Sequence, residues 1–209
     1  IRRAEAAGFE CICSKSSLKA GDKVYYNNRG KAVMLAIIGE EPIENGMNIV
    51  GSHIDSPRLD IKQNPVYEAG GTVLLKTHYY GGIKKYQWTA LPLAIYGVIV
   101  KANGEKVEIA VGDGADDPVF YITDLLPHLA KDQMSKNLAE GIEGENLNVL
   151  TGSLPVDDTE DSDRFKTALL NILNERYGIE EEDFVSAELE VVPAGKARDV
   201  GFDRGLIAA

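Results

Sequence analysis

Hydrophobic positions first cluster in Ala32-Val33-Met34-Leu35-Ala36-Ile37-Ile38, where every position is apolar. A strand buried on both faces reads this way. Val24-Tyr25-Tyr26 precedes it across Asn27-Asn28-Arg29-Gly30, so the two runs predict a hairpin. After a turn-rich loop from Gly39 to Gly46, Met47-Asn48-Ile49-Val50 predicts a short buried strand. Two near-continuous apolar strands in one small region argue for the centre of an α/β sheet. Ahead of them, residues 1–8 predict the end of a helix, closed by Gly8.

The pattern then loosens. Leu59-Asp60-Ile61-Lys62 and Thr72-Val73-Leu74-Leu75-Lys76-Thr77 alternate enough to predict outer strands. Gly81-Gly82 reads as a hinge, lined by His78. Beyond it, Tyr96–Lys101 and Glu105–Val111 flank Asn103-Gly104, a hairpin signal. Gly112–Asp117 lacks the lysine and third glycine of a phosphate loop and the aspartate spacing of a calcium loop, so it reads as a turn. Asp124–Ala130 predicts the opening of a short helix, with Asp124 near the cap and Pro127 in the first turn. Asn146–Leu150 predicts another short strand. From Asp163 to Tyr177, residues Phe165, Ala168, Leu169, Ile172, Leu173 and Tyr177 share a helical face, and Gly178 ends the helix. Val185, Ala187, Leu189 and Val191 alternate with polar residues as in a half-buried strand, and Pro193-Ala194-Gly195 makes a second hinge.

Two hinges bounding a block of hairpins and one helix predict an insertion. The expected organisation is the N-terminal part of an α/β domain over residues 1–88, an inserted β-rich domain over 89–193, and a return into the first domain over 194–209. The chain opens in a helical pattern without a start methionine and stops in an apolar run, which predicts the N-terminal part of a longer protein.

Composition narrows the partners. The 209 residues are 44% hydrophobic and 26% charged, which suits globular domains. A net charge of −11 without a basic run argues against nucleic acid. Acidic runs such as Asp157–Asp161 and Glu180–Asp183 read as solvated loops. No apolar run reaches membrane-span length, so no membrane partner is expected. The two cysteines, Cys11 and Cys13, are too close for an ordinary structural disulfide and too few for a zinc knuckle. Alternation would point both to one side of a strand as buried free thiols, which fits a reducing cytoplasm.

Candidate chemistry gathers in Gly51-Ser52-His53-Ile54-Asp55-Ser56-Pro57. Side chains at i and i+2 of an extended chain face one way, so His53 and Asp55 would leave the strand end together. A carboxylate that orients a histidine ring raises its basicity as a metal ligand. The alternative is a strand-to-loop turn in which Asp55 caps and His53 packs. A serine hydrolase is a poor reading, because no G-x-S-x-G exists and Ser52, His53 and Asp55 are too close in sequence to form a triad by themselves.

The same stretch resembles the [AS]-H-x-D-S-P motif of the aspartyl aminopeptidase family, relatives of yeast vacuolar aminopeptidase I. Tyr80-Gly81-Gly82 resembles that family's Y-G-G-G, and Leu126-Pro127-His128-Leu129-Ala130 resembles its [IV]-P-H-L-A. Asp203, before an apolar run, resembles the approach to its second metal-binding strand. The resemblance implies an aminopeptidase that releases N-terminal residues from peptides, with two divalent ions, zinc first and cobalt or manganese as alternatives. A metal-activated water would attack the scissile carbonyl, and a glutamate would serve as general base. It implies a peptidase-type α/β domain interrupted by a β-rich, barrel-like dimerisation domain, with dimers assembling to a dodecamer. On this pattern His53 binds a metal, Asp55 orients its ring, and His128 reaches a partner subunit's site to contact substrate.

The chain also departs from the pattern. The bridging aspartate, the glutamate pair with the general base and the other ligands are expected beyond Ala209. Glu181-Glu182 lies in a polar loop and does not take that role. Many relatives carry Phe-Asp-Arg-Asp-Leu after the glycine hinge, where this chain has Trp88-Thr89-Ala90-Leu91-Pro92-Leu93. The family's preference for acidic N-terminal residues is therefore not carried over. From another class, a non-catalytic oligomerisation module with a vestigial metal site remains the alternative.

Overall fold

A computed structural model describes residues 1–53, 55–157 and 163–208. Ile54, residues 158–162 and Ala209 lie outside the described residues, which removes the centre of the His53–Asp55 motif and most of the first acidic run. The chain divides into two compact units, Ile1–Asp55 and Ser56–Ala209.

In the first unit, helix α1 (Arg2–Ala6) ends at Gly8, whose φ of 83° suits glycine. Strand β1 (Glu10–Cys11) pairs parallel with β2 (Lys23–Asn28), and β2 pairs antiparallel with β3 (Ala32–Ile37). The β2–β3 turn forms as predicted, with the Gly30 N–H donating to Asn27 Oδ1 at 2.8 Å. Burial does not follow the prediction. β3 is the edge of a three-stranded sheet, and Val33, Met34, Leu35 and Ile37 are exposed. Met47–Val50 forms no strand, and Val50 is 97% exposed. No described strand pairs with that segment, so its β propensity has no neighbour to act on.

The cysteines are also placed differently from the expectation. β1 spans two residues, and the chain turns at once into a 3₁₀ turn over Ile12–Ser14. Cys13 is therefore exposed and Cys11 half-buried.

The second unit is built on one six-stranded antiparallel sheet. It contains β4 (Arg58–Ala69), β5 (Thr72–Tyr80), β6 (Leu93–Val100), β7 (Lys106–Val111), β8 (Val149–Gly152) and β9 (Ala187–Pro193). Their spatial order is β7-β6-β9-β4-β5-β8. β4 and β5 are thus interior strands, not outer ones. β4 runs on past Lys62 because its register with β5 shifts between Ile61 and Val66, and this irregularity accommodates Pro65. Gly97 of β6 has a φ of 149° and lies so close to β9 that a Cβ would collide with the Glu188 carbonyl.

Among the described residues the unit also holds the α-helices α2 (Lys131–Ser135) and α3 (Arg164–Tyr177). Phe165, Leu169, Leu170, Leu173 and Tyr177 of α3 pack against the core, whereas Ile172 is exposed. Leu59, Leu93, Val149 and Val191 are fully buried. Thr77, a buried polar residue, donates its hydroxyl hydrogen to the Leu147 carbonyl. After Pro193, β10 (Arg198–Val200) and β11 (Leu206–Ala208) form a separate two-stranded sheet. The whole is a mixed α/β chain with several sheets, and none closes into a barrel among the described residues.

Candidate metal and substrate-binding residues

His53 and Asp55 lie at the end of the first unit outside any helix or strand, and both are exposed. The preceding Met47–Val50 segment belongs to no sheet, so the predicted buried strand that would aim them is absent among the described residues. Pro57, just before β4, keeps the backbone of Ser56 out of the helical region.

His128 sits in the second unit on a tight turn, not in a helix. The N–H groups of Leu129 and Ala130 both donate to the Leu126 carbonyl, at 2.8 and 3.0 Å. α2 begins only at Lys131. The helix starts later than predicted because Asp124 does not cap it. Its Oδ1 accepts from the Leu125 N–H at 2.8 Å and from Gln133 Nε2 at 2.9 Å, while Oδ2 accepts from Thr89 Oγ1 at 3.1 Å. The Gln133 amide, then the Leu125 N–H and the Thr89 hydroxyl, hold this carboxyl below the usual aspartate range. Asp124 and the buried Ala130 bracket a turn on which His128 is exposed beside Leu125, Leu126 and Leu129. Sequence reasoning missed this role for Asp124; its neighbour Pro127 was the available signal for a turn.

Other predicted features move too. Trp88, in the segment that stands where many relatives carry Phe-Asp-Arg-Asp-Leu, is 7% exposed and belongs to the core. Gly81 has a φ of 77°, consistent with the predicted break. His78 lies within β5 and stacks on Tyr79 at 5.7 Å between ring centroids. Asp203 accepts the Gly205 N–H at 3.2 Å in the turn between β10 and β11. A cavity of ≈ 70 Å³ in the second unit is lined mainly by aliphatic and aromatic side chains, including Ile99, Leu169 and Phe184. It is a packing gap in the core with little to orient a polar substrate.

An imidazole and a carboxylate are the right donor types for zinc, which takes four ligands in closed sites and three protein ligands in catalytic ones. Among the described residues no three histidine, cysteine or acidic side chains converge to hold an ion. The described residues therefore do not make a complete metal site.

Comparison with known proteins defines the class. The model of the aminopeptidase I zinc metalloprotease family (M18) matches residues 2–209. The chain belongs to that family. The probable M18 family aminopeptidase 1 of Clostridium acetobutylicum is 55% identical over 99% of this chain and 45% of its own length. The crystal structure of an M18 aminopeptidase from Thermotoga maritima superposes with a TM-score of 0.88, at 48% identity, over 99% of this chain and 45% of that one. The Saccharomyces cerevisiae mApe1 dodecamer shares the fold at 20% identity and a TM-score of 0.56, over 90% of this chain and 40% of that one. The chain spans about half the length of the curated relatives it matches.

Proposed function

We propose that the intact protein is a metal-dependent aminopeptidase that removes N-terminal residues from peptides. The observation that carries this reading is the family match across residues 2–209, with the His53–Pro57 motif inside it. In this reading His53 donates an imidazole to one of two divalent ions, zinc in the first instance, and Asp55 fixes the ring's orientation. The bound ions would supply Lewis-acid polarisation of the scissile carbonyl and an activated water. His128 is a substrate-binding residue, presented by the turn that Asp124 anchors.

The remaining ligands and the general base come from the rest of the family's length. The same portion covers the exposed apolar side chains of β3 and Met47–Val50 and completes a peptidase-type α/β domain. The β-rich block, which shares one sheet with β4 and β5 and so begins before residue 89, is inserted into that domain and mediates dimerisation, with dimers assembling as in the dodecameric neighbour. A cytoplasmic location belongs to the same proposal.

The test is metal analysis and peptidase assay on the intact protein and two variants. His53→Ala should lose bound metal and lower turnover by about 100-fold or more. His128→Ala should keep its metal and lower turnover by roughly 10-fold or more. Unchanged metal content and turnover in His53→Ala would overturn the assignment. Wild-type turnover in His128→Ala would remove that residue from the site.

A further inference from the structure

The 3₁₀ turn after β1 brings together two side chains for which the proposed peptidase chemistry has no use. Cys11 has extended backbone, with φ −62° and ψ 127°, and Ile12–Ser14 is helical. Helical geometry at the middle residue of an i, i+2 pair shortens the Cα separation to about 5.4 Å, against about 6.5–7 Å in a strand. Disulfides need about 4.4–6.8 Å, so the turn moves Cys11 and Cys13 well inside the bonding range. The two thiols are free and hydrogen-bonded to each other.

The turn is held by its own hydrogen bonds. Ser14 Oγ donates to the Cys11 carbonyl at 2.7 Å, and the Lys15 N–H donates to the Ile12 carbonyl at 3.1 Å. Lys15 is in turn paired with Glu10 at 2.9 Å. β1 fixes the other side, with Cys11 in register with Tyr25 of β2. The two thiols are thus within hydrogen-bonding reach of each other before any oxidation, and Cys13 is open to solvent.

We propose that Cys11 and Cys13 form a reversible dithiol–disulfide site that exchanges with low-molecular-weight disulfides. In the first step the exposed Cys13, as thiolate, attacks one sulfur of the small disulfide and releases one small thiolate. Cys11 then gives up its proton and attacks the Cys13 sulfur of the mixed disulfide, releasing the second small thiol. Two protein thiols are oxidised and one small disulfide is reduced to two thiols. The hydrogen bond to Cys11, and then the charge Cys11 would carry, raise the pKa of Cys13 above the usual thiol value. Cys13 is therefore largely protonated near neutral pH, and exchange draws on a small thiolate fraction. A ring closed across one intervening residue is strained, and strained, exposed disulfides are readily reduced again. The site is a labile modification site and not a structural cross-link. Two thiolates without further donors do not complete a zinc site, and no third donor joins them among the described residues.

The experiment treats the intact protein with glutathione disulfide, quenches with acid and an alkylating agent, and maps the tryptic peptide over residues 4–15. That peptide contains both cysteines, between Arg3 and Lys15. In the wild type it should lose two hydrogens, form no intermolecular cross-link and return to the dithiol with reduced glutathione. In Cys11→Ser the mixed disulfide on Cys13 should accumulate at least about tenfold above the wild type, because the resolving thiol is gone. The proposal is overturned if the wild-type peptide carries glutathione as heavily as the variant. It is equally overturned if the wild-type peptide stays fully reduced while Cys13 alkylates freely. Should the variant fold poorly, the wild-type mass decides: a peptide lighter by two hydrogens supports the site, and a persistent glutathione adduct or an unchanged dithiol overturns it.

Discussion

The hairpins β2–β3 and β6–β7 have the same number of aligned pairs, six each, yet they end in opposite environments. In β6–β7 the side chains of Ile95, Ile99, Ile109 and Val111 are buried. In β2–β3 only Val24 is, and the apolar side chains of β3 stand in solvent. Ladder hydrogen bonds are equally available to both, so they do not account for the contrast. What differs is what lies beside and above. β6 pairs on its other edge with β9, and the core that receives its side chains is capped by Leu169, Leu173 and Tyr177 of α3. Among the described residues β3 has no second neighbour in its sheet. A hairpin is stabilised by what covers its face, and residues 56–209 contain that cover for their own hairpins.

The strongest way to break this comparison is at the centre of the six-stranded sheet. Leu59 is 0% exposed in β4, between β5 and β9. Leu59→Ala removes buried methyl groups that the surrounding strands cannot collapse to replace, and should cost about 2–5 kcal/mol. The sole tryptophan, Trp88, is buried in the same core and reports unfolding in denaturant. A loss below about 1 kcal/mol would mean that the second unit does not depend on this core as described.

Local chemistry made some of this architecture legible in advance. Asn27–Gly30 and Asn103-Gly104 marked their turns correctly, and Gly178 ended α3 with a left-handed φ of 63°. Those signals act over a few residues and need no tertiary partner. Met47–Val50 failed for the opposite reason, since an apolar run becomes a strand only where another strand receives it. β4 was read too short because the alternation stops at Lys62, whereas a register shift between Ile61 and Val66 lets the strand continue. Of the candidate site, His53 and Asp55 were proposed from their spacing and chemistry together with the motif resemblance, and His128 from the resemblance. The turn that carries His128 was not, because Asp124 bonds to Thr89, 35 positions back in the chain, as well as to Gln133.

A second, smaller test concerns how the far end of the sheet is closed. Tyr96 of β6 donates its hydroxyl to Asp113, whose Oδ1 also accepts the Gly195 N–H at 2.5 Å. This ties the turn after β7 to the segment that follows β9. The bond to Asp113 raises the Tyr96 pKa to about 12, and the Tyr96 hydroxyl and then the Gly195 N–H hold Asp113 below the usual range. A phenol whose folded pKa is raised stabilises the fold fully below its unfolded pKa of about 10. That contribution disappears as pH rises through about 12. For Asp113 the sign reverses, and its contribution disappears as pH falls through its lowered pKa. Tyr96→Phe should therefore lose on the order of 1 kcal/mol near neutral pH, after allowance for solvent screening. Its deficit against wild type should close over the alkaline window in thermal melts. A deficit that stays constant to the top of that window would show that the hydroxyl contributes nothing pH-dependent.

The smallest expected effect is in β3. Leu35 is in register with Tyr25 and 52% exposed, so truncating it removes little from any core within residues 1–209. Leu35→Ala in that fragment should change local stability by less than about 0.5 kcal/mol. Hydrogen exchange at the Tyr25 and Leu35 amides would read it directly, since Trp88 lies in the other unit. In the intact protein, where we propose that the rest of the family's length covers this face, the same substitution should cost about 2–5 kcal/mol. Equal, small effects in fragment and intact protein would sink the proposed cover. A large effect already in the fragment would instead show that the first unit buries Leu35 by itself, and the contrast between the two hairpins would fall with it.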